Sequence, residues 1–225
     1  MKKFSKRHKK AQELVDVNKI YTLKDAVDLL KKTPKVKFDE SVELHFYLNI
    51  DSKKSDQMVR GGIKLPHGTG KKIKVAVICK GEHETQAKEA GADFIGGADL
   101  IEKISGGWME FDKIIAIPEM MKDLAKLGKV LGPRGLMPSP KTGSVTTEIA
   151  KAVKEAKAGK IDFKSDKLSG IHVGIGRISF SEDQIIDNAK KVLEVVQSSR
   201  PSTVKGNFIK KVFISATMSP ALQIN

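Results

Sequence analysis

One cysteine among 225 residues cannot form an internal disulfide, and it cannot build a cysteine-based zinc site. Cys79 follows the apolar run Val75, Ala76, Val77 and Ile78, which reads as a buried strand and makes the thiol a core group. Aromatic residues are scarce at 5%, with a single tryptophan. No apolar run approaches the roughly 20 residues that a membrane-spanning helix needs, so no membrane partner is expected. The basic N-terminus leads into no apolar signal core, which points to the cytoplasm. His8, His45, His67, His83 and His172 have no metal-ligating spacing, no G-x-S-x-G elbow is present, and neither a metal nor a cofactor is expected.

What the chain has in excess is positive charge. Lysine and arginine number 41 against 27 acidic residues, a formal net charge of +14, and a polyanion is the default partner. Lys2, Lys3, Lys6, Arg7, Lys9 and Lys10 form a run with nothing to bury, expected to be a mobile tail that can lie along phosphates.

Periodicity divides the chain. Thr22 opens an amphipathic helix with Leu23, Ala26, Val27 and Leu30 on one side, and Pro34 ends it. Residues 41–50 alternate Val42, Leu44, Phe46 and Leu48 with Glu43, His45, Tyr47 and Asn49, the pattern of a half-buried strand. His45 on the polar side reads as ordinary surface. Residues 66–71, Pro-His-Gly-Thr-Gly-Lys, are a hinge and not a phosphate loop, because Leu65 and Lys72 stand where that motif needs Gly and Ser or Thr.

Residues 73–157 alternate strand and helix, which implies a mostly parallel sheet in an α/β domain. Residues 91–96 and 174–176 lack a strand-to-helix setting for a dinucleotide fingerprint. Residues 128–143 hold four Gly and three Pro and are expected to be a loop. Its apolar Val130, Leu131, Leu136 and Met137 belong either to its own domain or to a partner. Thr146 or Thr147 caps the helix that follows.

After Gly159 come strands at 161–163 and 171–180 joined by a polar turn. A capping box, Ser181 and Gln184, then opens a helix that ends before Pro201. In the last strand, residues 211–218, Val212, Ile214 and Ala216 point inward and Phe213, Ser215 and Thr217 outward. The expected architecture is a two-layer α+β discontinuous domain, residues 1–67 and 160–225, with an inserted α/β domain, Rossmann-like and three-layer, at 68–159. The two crossings, 66–71 and 158–160, serve as hinges. Basic residues outnumber acidic ones by 16 to 9 in the first segment and 10 to 6 in the last, a net +11, against 15 to 12, or +3, in the middle. The polyanion therefore belongs mainly on the discontinuous domain.

Two details favour RNA as that polyanion. Lys35 and Lys37 stand just before Phe38, whose ring either stacks on a base or, the preferred reading, enters the core. Ser215 and Thr217 project hydroxyls that can meet ribose 2′-hydroxyls. The competing readings are a nucleotide-dependent enzyme using the inserted domain and a nonspecific DNA-binding module.

Several motifs in one order then narrow the choice: SDQMVRG at 55–61, LPHGTGK at 65–71, GADFIGG at 91–97, LGPRGLMP with PKTG at 131–143, and ISATMSP at 214–220. Along essentially the whole chain this resembles the bacterial large-subunit ribosomal protein L-one family. The resemblance implies a domain that grips 23S rRNA in the 50S subunit and an inserted domain that swings on a hinge. It also implies a place in the stalk beside the exit site for deacylated tRNA, whose release the family assists, and repression of translation by binding its own mRNA. Carried over, the RNA-binding residues are Lys37, Phe38, Glu40, Ser41, Asp166, Lys167, Lys211, Thr217, Met218 and Ser219. Arg134 and Lys141 are available for a secondary contact to RNA or tRNA. The chain departs from the family pattern at Ser41 (usually Thr), Met58 (usually Asn), Ser169 (usually Gly) and Ser219 (usually Gly). At Ser219 the added Cβ is expected to disfavour a positive φ.

Overall fold

The computed structural model describes residues 5–16, 19–34, 36–54 and 56–225. Met1 to Phe4, Lys35 and Ser55 lie outside these, so the start of the basic run, one cation of the Lys-Lys-Phe cluster and the first residue of SDQMVRG are not placed. In chain order the elements are α1 (Lys6–Glu13), β1 (Ile20–Tyr21), α2 (Leu23–Lys32), β2 (Ser41–Leu48), β3 (Arg60–Lys64), β4 (Val75–Ile78) and α3 (Glu82–Glu89). Then follow β5 (Phe94–Gly96), α4 (Ala98–Ser105), β6 (Lys113–Ala116), α5 (Met121–Ala125), α6 (Gly128–Leu131) and α7 (Ile149–Lys157). The chain closes with β7 (Lys160–Lys164), β8 (Gly170–Arg177), α8 (Glu182–Ser198), β9 (Ile209–Ala216) and β10 (Leu222–Ile224).

Two compact units result, Met1–Gly70 with Ile161–Asn225, and Lys71–Lys160. The first holds 25 basic and 15 acidic residues, a net +10, and the second 16 and 12, a net +4. In the first unit a five-stranded sheet runs β1-β10-β9-β2-β8, antiparallel except where β1 meets β10. The strict alternation of β2 buries Val42, Leu44, Phe46 and Leu48, which share a core with Ala26, Val27 and Leu30 of α2 and Ile185, Ala189, Val192 and Val196 of α8. Thr22 caps α2 by accepting from the Asp25 amide, and Ser181 and Gln184 complete the capping box of α8. Asn188, fully buried on α8, accepts from the His67 amide at 3.1 Å and donates to the carbonyls of Gly68 (3.0 Å) and Ile175 (2.7 Å). Residues 67 and 68 are thereby held to their own unit.

The second unit is built on a parallel sheet, β5-β4-β6, whose central strand is buried on both faces, as its unbroken Val-Ala-Val-Ile composition requires. Cys79 is fully buried there, and desolvation, helped by Glu84, pushes its thiol up to about 11.

Several sequence expectations give way. Part of the basic run is helical: Ser5 caps α1 by accepting from the His8 amide at 3.2 Å, and Ala11 is buried beneath it. Residues 91–97 contain strand β5 and lead directly into α4, a strand-to-helix step that three residues of β-forming sequence were too short to announce. Residues 128–143 are not wholly loop, since α6 covers their start and a 3₁₀ turn spans Pro140–Thr142; Gly135 and Gly143, at φ 70° and 73°, make the reversals between. Leu131 is buried in the second core, and Leu136 and Met137 pack against it, so these apolar residues serve their own unit. Neither Thr146 nor Thr147 occupies the N-cap of α7, which is Glu148; Thr146 accepts from the Glu148 amide at 3.1 Å instead. The strands expected on either side of the polar turn do form, each with another partner: β7 joins β3 in a two-stranded sheet and β8 joins β2.

Candidate nucleic-acid interface

The β2–β9 ladder pairs Val42 with Ala216, and just beyond it the chain closes a turn at residues 216–219. The Thr217 amide donates to the Ser41 carbonyl at 3.0 Å, and Thr217 Oγ1 accepts from the Ser41 amide at 3.0 Å, so a hydroxyl takes the place of the next backbone acceptor. The Met218 amide donates to Glu40 Oε1 at 2.8 Å, while Arg7 Nη1 donates to the Met218 carbonyl at 3.1 Å. Glu40 is only 4% exposed, and its own carbonyl accepts from the Ile178 amide. With both backbone groups of Met218 occupied, its side chain is left facing out at 45% exposure.

Phe38 is 53% exposed, which corrects the expectation that its ring enters the core. The neighbouring Asp39 explains why: its carbonyl accepts from Arg177 Nη1 at 2.8 Å and its carboxylate from Ser179 at 2.8 Å, pinning the backbone so that Glu40 turns in and Phe38 out. Lys37 is exposed beside it. Ser219 does not adopt a positive φ, in keeping with the expectation that its Cβ disfavours one; its amide donates to the Ala216 carbonyl at 3.1 Å and its Oγ accepts from the Ala216 amide at 2.8 Å. The serine closes the turn.

The polar turn between β7 and β8 is organised by Asp166. One carboxylate oxygen accepts from the amides of Leu168 (2.8 Å) and Gly170 (2.6 Å), and the other lies 3.5 Å from His172 Nε2. Burial alone would raise this carboxyl, but the Gly170 and Leu168 amides and His172 together hold it below the usual range. Ser52 Oγ donates to the Lys167 carbonyl at 2.6 Å. Ser169 sits at φ 65°, the one positive φ among described non-glycine residues, and its hydroxyl donates to the Ile50 carbonyl at 2.9 Å. Leu168 is left 80% exposed at the tip, and a cleft of about 440 Å³ beside the turn is lined by Ser52, Met58, Lys164, Ser165, Asp166 and Lys167.

These residues form two groups. Tyr47 stands opposite Lys211 on one side and Gly170 on the other, so Asp166, Lys167 and Lys211 lie at one end of β2. Lys37, Phe38, Glu40, Ser41, Thr217, Met218 and Ser219 gather at the other end, six residues away, roughly 20 Å at strand spacing. Between them runs the polar face of the sheet, with Glu43, His45, His172, Phe213 and Ser215. His45 is not ordinary surface: its two ring nitrogens lie 2.9 Å from His172 Nδ1 and 2.9 Å from Ser215 Oγ. Pairing across strands, which local periodicity does not carry, hid this cluster and the exposed Tyr47, whose ring lies 5.2 Å from Lys210 Nζ. Arg134 and Lys141 are exposed and belong to the second unit. Among the described residues no group of three or more His, Cys, Asp or Glu is placed to hold a metal. No helix among them is long and apolar enough to cross a membrane.

Comparison with known proteins identifies the family. The family described as Ribosomal protein L1p/L10e matches residues 30–220. A protein of Persephonella marina named large ribosomal subunit protein uL1 is 52% identical over all of this chain and 95% of its own length. Proteins of the same name from Kosmotoga olearia and Bacteroides thetaiotaomicron are each 49% identical, covering all of this chain and 97% of theirs. These relatives are ribosomal proteins and not enzymes, which removes the nucleotide-dependent alternative. With a match of this extent to the family and identities near one half along the full chain, the protein belongs to the Ribosomal protein L1p/L10e family.

Proposed function

We propose that the chain is a structural protein of the large ribosomal subunit that binds 23S rRNA through its first unit, in the cytoplasm. The observation that carries this reading is the turn at residues 216–219. Its backbone is tied to Ser41, Glu40 and Arg7, and with the neighbouring Phe38 it presents Met218 and the exposed Thr217 outward on a unit of net charge +10. Exposed apolar side chains beside cations on a pre-ordered backbone suit stacking on unpaired bases and contact with ribose 2′-hydroxyls. Lys37, Lys167 and Lys211 neutralise phosphates at the two ends of the same sheet face. The discontinuous first unit is the RNA-binding domain. The second is the inserted domain, Rossmann-like and three-layer, which pivots at 66–71 and 158–160 in the stalk and assists release of deacylated tRNA, with Arg134 and Lys141 as its RNA or tRNA contacts. The same RNA-binding surface, given a matching fold in its own mRNA, represses translation.

The test is competition, at one fixed salt concentration, between a structured fragment of large-subunit ribosomal RNA and duplex DNA of equal length. Preference for the RNA by about a thousandfold or more is expected of specific recognition. Equal affinity would leave only charge-driven binding and sink the proposal. A chain of residues 1–70 joined to 161–225, shown to be folded by circular dichroism, should retain that preference; its loss would move the site to the second unit.

A further inference from the structure

Across the middle of the polar sheet face, side chains from three strands and one turn form a single hydrogen-bonded line. His45 of β2 pairs in register with His172 of β8, and their Nδ1 atoms are 2.9 Å apart. His45 Nε2 lies 2.9 Å from Ser215 Oγ on β9, and His172 Nε2 lies 3.5 Å from Asp166 Oδ2. Two nitrogens at that separation hold one proton between them, because two N–H groups cannot face each other. With both rings neutral, one assignment satisfies every contact. The Asp166 carboxylate keeps a proton on His172 Nε2, His172 Nδ1 accepts from His45 Nδ1, and the Ser215 hydroxyl donates to His45 Nε2.

One added proton reverses the line without breaking it. His172 then carries protons on both nitrogens and donates from Nδ1 to His45, whose remaining proton moves to Nε2 and donates to Ser215. The Ser215 hydroxyl hydrogen is released, and the face gains a cation and an outward O–H donor together. A second proton would set N–H against N–H and disrupt the pair, so uptake stops at one.

The surroundings set when this happens. Burial, and then His172, hold His45 below its ordinary value, with Glu43 on the same strand opposing them. The other groups facing the pair are Asp166 in the turn, Tyr47 on β2, and Lys210 and Lys211 on β9. The two rings share one proton between their Nδ1 atoms, and an incoming anion favours the form that carries one proton more. Space for one exists: Gly174, opposite Glu43 on β8, has nothing within 4 Å of where a side chain would begin.

We infer that the Asp166–His172–His45–Ser215 line is a proton-coupled contact for a phosphodiester of the bound RNA, taking up one proton on binding and turning Ser215 into a hydrogen-bond donor. It joins the two residue groups at the ends of β2 into one continuous surface, and it rests on the RNA-binding reading above.

The experiment is calorimetric titration of the large-subunit ribosomal RNA fragment into the full chain near pH 6.5, in buffers of different ionisation enthalpy. The buffer dependence of the heat gives the protons taken up. Net uptake approaching one is expected, with affinity tightening by up to about tenfold per pH unit between roughly pH 7.5 and 6. His172→Gln and His45→Gln, checked for folding by circular dichroism, should lose the uptake. His67→Gln should keep it, because His67 pairs with Asp187 away from this line. Ser215→Ala should also keep the uptake but bind more weakly on the acid side alone, which separates the donor from the proton. RNA binding without proton uptake, or equal uptake in His172→Gln, overturns this inference while leaving RNA binding intact. Absence of specific RNA binding at every pH would instead overturn the reading beneath it.

Discussion

Replacing Thr217 with valine removes one hydroxyl and almost nothing else, since the two side chains share a shape. In the free protein the change should be mild. Thr217 is exposed, its amide still donates to the Ser41 carbonyl at 3.0 Å, and the Ser41 amide that loses Oγ1 at 3.0 Å can turn to water, so stability should fall by less than about 1 kcal/mol. Once RNA covers the turn, water is excluded and the same amide has no acceptor. An unsatisfied buried donor costs about 1 to 3 kcal/mol, which converts to a Kd raised about five- to 150-fold. Urea unfolding of the free chain and filter binding of the ribosomal RNA fragment at fixed salt give the two halves of the comparison. A binding loss several times larger than the stability loss is expected. Unchanged affinity would remove the Thr217 hydroxyl from the interface, and equal losses would make it a fold residue only.

Glu40→Ala strips the acceptor from the Met218 amide, a hydrogen bond to a carboxylate at 2.8 Å within a site only 4% exposed, and should cost about 1.5 to 3 kcal/mol of stability. Glu40→Gln keeps an oxygen in place and should cost less, and native-state hydrogen exchange at Met218 reads the difference directly. Ser169→Ala keeps the left-handed φ of 65° but loses the bond to the Ile50 carbonyl, whereas Ser169→Gly loses the bond and relieves the strain. The alanine variant should therefore be the less stable by about 1 kcal/mol in urea, and the order would reverse if the strain were absent. Asp93 is held below its usual value first by the Val75 amide at 2.8 Å, against a burial penalty, and then by Lys157. A depressed carboxylate adds stability that is complete above its unfolded value of about 3.9 and disappears as pH falls through the lower folded value. Asp93→Asn should thus be less stable than the parent at neutral pH, and the two should converge in acid.

Local pattern carried most of the secondary structure because local physics decides it. The alternation in residues 41–48 produces a strand whichever partners it finds, and Thr22 and the Ser181–Gln184 pair start helices with contacts no more than three residues apart. Elements fixed by distant partners stayed hidden. Strand β1 is two residues long and exists because Ile20 and Tyr21 meet Gln223 and Ile224, some two hundred positions away. Strand β3 carries two glycines that weaken its own preference, and Gly61 is accommodated because Phe163 packs within 3.0 Å of where a side chain would stand. The basic run that continues into α1 reads as self-repelling, yet burial of Ala11 and the bond from Arg7 to Met218 give that helix a partner that charge counting does not register.

The candidate site shows the same division at the scale of single side chains. Sequence motifs named the residues of the candidate interface but not which way they face, and orientation is what separates a contact from a support. Phe38 and Glu40 are two positions apart, and a simple alternation would put them on the same side. The bonds from Arg177 and Ser179 to Asp39 break that alternation, sending the aromatic ring out and the carboxylate inward. Glu40, an acidic residue among expected RNA contacts, then makes physical sense as the acceptor that fixes the Met218 amide, since a carboxylate offered to phosphate would repel it. Ser219 works the same way: where a glycine would leave the turn free, its hydroxyl ties the Ala216 amide. Glu40 and Ser219 order a backbone, and the exposed Lys37, Phe38, Thr217 and Met218 are left for the contacts proposed above.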